Sequence, residues 1–269
     1  MDSVTKLALI RLFSIMGRKK RRFTIRKDSF DAVIFDMDGI VTRTSKTHAE
    51  AWKTMFDNYL RDLTEKRGIS YCPFSIEKDY RASVDGKPRY KGVQSFLESR
   101  RLDIPPWGYP DDPPGHETIC GLGNRKNELF QELLKKGGVE VYASTVQLIH
   151  ELKSRNFKTA IVTSSKNCEA ILKAGKIGKL FDTKVDGLDS ERLKLAGKPN
   201  PDIFICAAQK LRVDPARAVV IEDAVAGVLA GKRGHFGLVI GVDRDAQKEA
   251  LLKNGADLTV HDLSEISLE

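Results

Sequence analysis

Residues 32–44 read AVIFDMDGIVTRT. Four apolar residues run straight into two aspartates one residue apart, and a glycine follows. An unbroken apolar run of this length, with no polar alternation, is the pattern of a parallel strand covered on both faces. Such a strand ends where the sheet ends, so Asp36 and Asp38 fall at its carboxyl end, where open α/β sheets hold their ligands.

The same pattern recurs downstream. Short apolar runs at 159–163 (TAIVT), 218–221 (AVVI), 238–242 (LVIGV) and 258–260 (LTV), with a weaker one at 183–185, alternate with amphipathic stretches at 144–155, 200–211 and 224–233. This alternation predicts a doubly wound α/β fold, a parallel sheet with a Rossmann-like order of elements. More than 120 residues separate the first strand from the second, too many for one crossover. Helical periodicity at 46–66 (Ala49, Trp52, Met55, Phe56, Leu60), 93–100 and 127–136 predicts an inserted small α-helical cap domain. The Pro- and Gly-dense segment 103–117 is a loop within it. The expected organisation is a basic N-terminal extension over 1–28, a core domain from 29–45 and 138–269, and a cap over 46–137.

The chain has 269 residues, 41% of them hydrophobic, enough for one or two globular domains. Its formal charge of +8 is concentrated at one end: residues 1–30 hold nine lysines and arginines against Asp2 and Asp28. The segment GRKKRR could meet phosphate backbones or anionic lipid, the Arg-rich, acid-poor start could be a transit peptide, or the stretch could be a solvated tail. Neither a helix-turn-helix pattern nor interleaved aromatic and basic strands accompany it, so nucleic acid is not an expected partner. The apolar runs near the start are short and interrupted by Arg11, so no membrane span is expected. Four scattered cysteines without a C-x-x-C motif fit reduced thiols in a cytoplasmic setting.

Four segments bring unusual polar residues to the strand ends: Asp36 and Asp38 after the first; Thr163, Ser164 and Ser165 after the second; Lys198 in GKPNPD; Glu222 and Asp223 after AVVI. Carboxylates this close need a compensating cation, and an all-oxygen set with room for water favours Mg²⁺. A lysine and hydroxyls facing the same point suit phosphate oxygens. Phosphoryl transfer is the chemistry these residues share.

DMDGIVTRT, TSSKN, GKPNPD and IEDAVAG, in this order, resemble the four motifs of the haloacid dehalogenase superfamily, in the branch of β-phosphoglucomutase and its relatives. The resemblance spans about residues 31–261. It implies that Asp36 is the nucleophile that becomes an aspartyl-phosphate and that Asp38 is the general acid and base. It further implies that Asp36, Asp223 and the main-chain carbonyl of Asp38 surround Mg²⁺, with Glu222 in or near that shell. Thr163 and Lys198 would hold the transferring phosphoryl group.

The resemblance leaves the acceptor open: water makes a phosphatase, a sugar hydroxyl a mutase acting on glucose 1-phosphate through glucose 1,6-bisphosphate. Ser165, Lys166 and Asn167, with Ser164 before them, resemble the segment that holds a second phosphate. Lys126 in NRKN resembles a lysine facing the sugar phosphate. THAEAWK resembles the first cap helix, with His48 near Asp38, Trp52 on the same face and Thr44 at the hinge. Two departures stand out. Gln94 and Ser95 occupy the place of an expected cap arginine, for which Arg89 or Lys91 could substitute, and Arg43 replaces an acidic residue. A non-catalytic regulator is the remaining alternative, against which both aspartates argue.

Overall fold

The computed structural model describes residues 23–68, 70–244 and 246–269. The segment GRKKRR and everything before it lie outside the described residues. A six-stranded parallel sheet organises the core, built from β2 (Ala32–Asp36), β3 (Lys158–Val162), β4 (Thr183–Val185), β5 (Ala218–Glu222), β6 (Leu238–Val242) and β7 (Leu258–Val260). Their spatial order is β4-β3-β2-β5-β6-β7, so the chain reverses direction across the sheet at β2.

Successive side chains of a strand point to opposite faces. In β2, Val33 and Phe35 enter one apolar layer while Ala32 and Ile34 enter the other; in β5, Val219 and Ile221 part from Ala218 and Val220 in the same way. Every residue of β2 and β5 is buried, which accounts for the unbroken apolar runs in their sequences. The first layer is filled by Leu148, Ile149 and Leu152 of the helix Ala143–Ser154, the second by Ile203, Phe204 and Ala207 of the helix Asp202–Leu211.

Between β2 and β3 the chain forms α1 (Thr44–Arg67), a π-helical turn (Ile76–Val84), α2 (Arg89–Ser99) and α3 (Ile119–Gly137). These enclose an apolar cluster of their own around Trp52, Phe56, Phe74, Phe96 and Ile119. Each fully buried phenylalanine is worth about 2–3 kcal/mol of transfer free energy, so this layer has its own cohesion. It is the inserted helical cap. The two crossings between cap and core run side by side: the Arg43 amide donates to the Glu140 carbonyl at 2.9 Å and the Tyr142 amide to Val41 at 3.0 Å.

One element lies where an extension was expected. Phe23–Ile25 forms β1, which pairs in parallel with β8 (Ile266–Leu268), and Ile25 is fully buried. Neither strand was read from the sequence, because the two are defined by pairing between segments 243 residues apart. The π-helical turn was also not foreseen; its Tyr80 and Asp85 amides bond five residues back, to Ser75 and Tyr80. All four cysteines are free thiols. Among the described residues, no helix is long and apolar enough to cross a membrane.

Candidate active site

Strands β2 and β5 lie in register, Phe35 beside Ile221, so the next residues, Asp36 and Glu222, emerge side by side at the sheet's carboxyl edge. Their repulsion is met by Lys198, whose Nζ lies 2.5 Å from Asp36 Oδ1 and 2.5 Å from Glu222 Oε1. All three side chains are buried. Burial favours the neutral amine, but the two carboxylates outweigh it and raise the lysine's pKa above its ordinary value. The other Glu222 oxygen accepts the Ala224 amide at 2.7 Å.

After Met37 the chain turns back on itself. Gly39 has φ +88°, its amide donates to Thr42 at 2.8 Å, and a Cβ at this position would lie 1.7 Å from Asp223 Oδ2. Only glycine meets both demands. The turn thereby seats Asp223 against the loop that carries Asp38. One oxygen each of Asp36, Glu222 and Asp223 lie within 4.8 Å of one another. Burial, followed by the neighbouring carboxylates, pushes the Asp223 pKa well above the usual range; burial does the same for Asp36, against the pull of Lys198. This negative charge exceeds what one lysine neutralises, and an all-oxygen donor set fits a hard divalent cation.

The Asp38 carboxylate turns away from that cluster. It accepts from Thr44 Oγ1 on one oxygen and from Thr163 Oγ1, at 3.0 Å, on the other. Thr163 is placed by register, since it follows Val162, the β3 partner of Asp36. His48 Nε2 lies 3.3 Å from Asp38 Oδ1. Burial raises the Asp38 pKa, but His48 and the two hydroxyls outweigh it and hold the group at about 2. Behind His48, its Nδ1 meets Lys126 Nζ at 2.6 Å, and its ring stacks on Phe130 at 3.9 Å. Lys126, 4% exposed, sits 5.1 Å over Trp52; burial, then the charge of Arg89, takes its pKa well below 10.5.

The same cavity also gathers the TSSKN segment against the cap. Asn167 Nδ2 donates to Asn127 Oδ1 at 2.9 Å, and Arg89 Nη2 donates to the same oxygen at 2.7 Å. Ser164 Oγ donates to the Gly86 carbonyl at 3.0 Å, and Ser165 Oγ accepts the Asn167 amide. Lys166 is held by Glu191, 2.9 Å from each carboxylate oxygen. Of the two cap cations expected to stand in for an arginine, Arg89 is drawn inward, whereas Lys91 stays exposed at the rim, 3.2 Å from Gln94 and 4.9 Å over the Trp107 ring. Arg43, the other departure, faces elsewhere: it stacks on Tyr142 at 4.4 Å and pairs with Glu140.

One cavity of about 280 Å³ is lined by both groups, Asp36, Asp38 and Asp223 as well as Arg89, Asn127 and Asn167. Sequence reasoning passed over Asn127, although it closes the NRKN segment beside Lys126. It also passed over Tyr80 and Asp85, which line the cavity from the π-helical turn and had no periodicity to announce them.

The haloacid dehalogenase-like hydrolase family matches residues 30–235. The chain is 42% identical over 238 residues to the β-phosphoglucomutase of Mycobacterium tuberculosis (strain CDC 1551 / Oshkosh), covering 87% of this chain and 90% of that protein. It is 30% identical over 230 residues to the phosphorylated carbohydrates phosphatase of Thermotoga maritima, covering 84% and 92%. A crystal structure of β-phosphoglucomutase from Clostridium difficile superposes with a TM-score of 0.67 at 25% identity, covering 88% of this chain and 93% of that one. By motif order, fold and the extent of these matches, the chain belongs to the haloacid dehalogenase-like hydrolases.

Proposed function

We propose that the protein is a Mg²⁺-dependent phosphomutase that converts β-glucose 1-phosphate to glucose 6-phosphate through an aspartyl-phosphate on Asp36. One observation carries the mutase reading: the cavity is lined by a second polar group, Arg89, Asn127 and Asn167, in addition to the reacting group at Asp36. A mutase must hold a bisphosphate by both phosphates; hydrolysis of a monoester requires one phosphate site. The 42% identity to a β-phosphoglucomutase supports it.

In this reading a phosphorylated Asp36 gives its phosphoryl group to the sugar 6-hydroxyl while Asp38 takes the hydroxyl proton. The bisphosphate then presents its other end. Asp36 attacks the phosphorus at the 1-position, the bond from phosphorus to O1 breaks, and Asp38 returns the proton to O1, releasing glucose 6-phosphate and restoring the phosphoenzyme. Thr44 and Thr163 keep the Asp38 carboxylate aimed, and His48 ties its position to the cap. Lys198 steadies charge around Asp36. Asp36, Asp223 and the main-chain carbonyl of Asp38, with Glu222 behind, would hold Mg²⁺, which supplies charge neutralisation at the phosphoryl oxygens.

A second reading, sugar-phosphate phosphatase, is favoured by the similarity to the Thermotoga maritima phosphatase and uses the same phosphoenzyme. The shared core is tested by incubation with Mg²⁺ and acetyl phosphate. The intact protein should gain the mass of one phosphoryl group, Asp36→Asn should gain none while melting as a folded protein, and EDTA should block the gain until Mg²⁺ is restored. Labelling of Asp36→Asn, or labelling indifferent to EDTA, would contradict the assignment.

A further inference from the structure

The loop 103–117 holds five of the chain's ten prolines and two glycines, more stiffening than a connection between α2 and α3 requires. It is also tied down along its length. Asp112 Oδ2 accepts from Thr118 Oγ1 at 2.6 Å and from the Tyr109 amide at 3.1 Å; Asn124 Nδ2 donates to the carbonyls of Pro110 and Asp112 at 3.0 and 2.9 Å. The Cys120 amide donates to the Trp107 carbonyl at 3.0 Å. Gly108, at φ +74°, has no room for a Cβ, which would lie 2.1 Å from Asp112 Oδ2.

This framework fixes one side chain in an unusual place. Trp107 lines the substrate cavity and yet remains 44% exposed. Its ring meets Tyr90 edge to face at 6.4 Å, and the Tyr90 hydroxyl donates to Asn124 at 3.0 Å, the asparagine that also holds the Pro110 and Asp112 carbonyls of the loop. Tyr109, two residues on and 73% exposed, does not line the cavity, so exposure alone does not distinguish Trp107. Cations stand over both rings: Lys91 at 4.9 Å from the Trp107 centroid, Lys166 at 5.8 Å and Arg89 at 6.0 Å from that of Tyr90. Rigid aromatic surface left wet on one side, interleaved with cations, suits a ligand with both apolar C–H faces and anionic groups.

Resting on the sugar-phosphate reading above, we propose that Trp107, backed by Tyr90, is a specificity-determining wall for the pyranose ring of the substrate in the part of the cavity lined by Arg89, Lys91 and Lys166. The ring's C–H face packs on the indole while phosphate and hydroxyl oxygens face Arg89, Lys91 and Lys166. Phosphoryl donors without a ring reach Asp36 without touching the wall. Because the loop is fixed before substrate arrives, the contact costs little ordering entropy.

The test compares wild type, Trp107→Ala and Trp107→Phe in Mg²⁺, with β-glucose 1-phosphate as ring substrate and acetyl phosphate as ringless donor. Trp107→Ala should raise KM for β-glucose 1-phosphate about tenfold with kcat little changed, the signature of lost uniform binding, and Trp107→Phe should recover most of it. Labelling of Asp36 by acetyl phosphate should be the same in all three. The chain has two tryptophans, so the emission change on adding sugar phosphate should shrink in Trp107→Phe, leaving only the share of Trp52. An unchanged KM and emission response in the variants, with wild type turning over the sugar, would overturn the wall alone. Wild type labelled by acetyl phosphate but blind to β-glucose 1-phosphate would overturn the sugar-phosphate reading as well.

Discussion

A buried amine beside a buried imidazole is the residue-scale feature with the sharpest physical consequence. Lys126 has its pKa well below 10.5 because burial and Arg89 both disfavour its charged form. Burial likewise lowers His48, and the neighbouring lysine adds to the effect. In the unfolded chain Lys126 keeps its proton up to the ordinary value of 10.5. Between the depressed folded value and 10.5 the unfolded chain therefore binds more protons, so this residue's contribution to stability rises with pH and is lost as pH falls. Denaturant melts of wild type and Lys126→Met from pH 7 to 10 should diverge, wild type gaining relative to the variant by up to about 1.4 kcal/mol per pH unit. Parallel curves would show that Lys126 titrates normally. Through the resemblance the sequence put His48 near Asp38 with Thr44 at the hinge, but it did not give Lys126 behind His48, because helix phase does not give the angle at which cap meets core. For the same reason it could not choose between Arg89 and Lys91: both lie in the first turn of α2, and only the packed helix turns Arg89 inward.

At the scale of elements, the strands that carry the chemistry were the most legible, because burial on both faces leaves an unbroken apolar run. β2, β5 and β6 fall within one residue of the runs that announced them. Thr163 fell inside a run read as strand and stands just past its end, its amide on Val185. β1 and β8 were not legible: they are defined by pairing across the length of the chain rather than by local pattern. Their pairing makes a prediction. A chain beginning at Phe23 keeps β1, while one beginning at Ser29 loses β1 and the buried Ile25. Loss of a buried isoleucine side chain alone costs about 2–5 kcal/mol, so the shorter chain should melt clearly lower. Equal melting of the two would mean that β1 adds nothing to the core.

In the whole molecule, two layers meet over one cavity. The core supplies Asp36, Asp38, Thr163, Lys198 and the carboxylates at the sheet edge; the cap supplies His48, Lys126, Arg89 and Asn127. The core half could be read from its motifs: three stand at the ends of β2, β3 and β5, which the sheet brings together, while Lys198, in the loop after the helix Gly187–Arg192, was placed by the motif resemblance. The cap half could be read only in outline, because the cap faces water and core with irregular turns as well as helices. Which acceptor reaches the aspartyl-phosphate is set by this second half, through how well the closed cap excludes water. The direct measurement gives the purified protein Mg²⁺, β-glucose 1-phosphate and a trace of glucose 1,6-bisphosphate, and follows glucose 6-phosphate and inorganic phosphate together. A cavity lined by both polar groups predicts glucose 6-phosphate with little or no free phosphate. Free phosphate released without glucose 6-phosphate would contradict the mutase and make the protein a phosphatase.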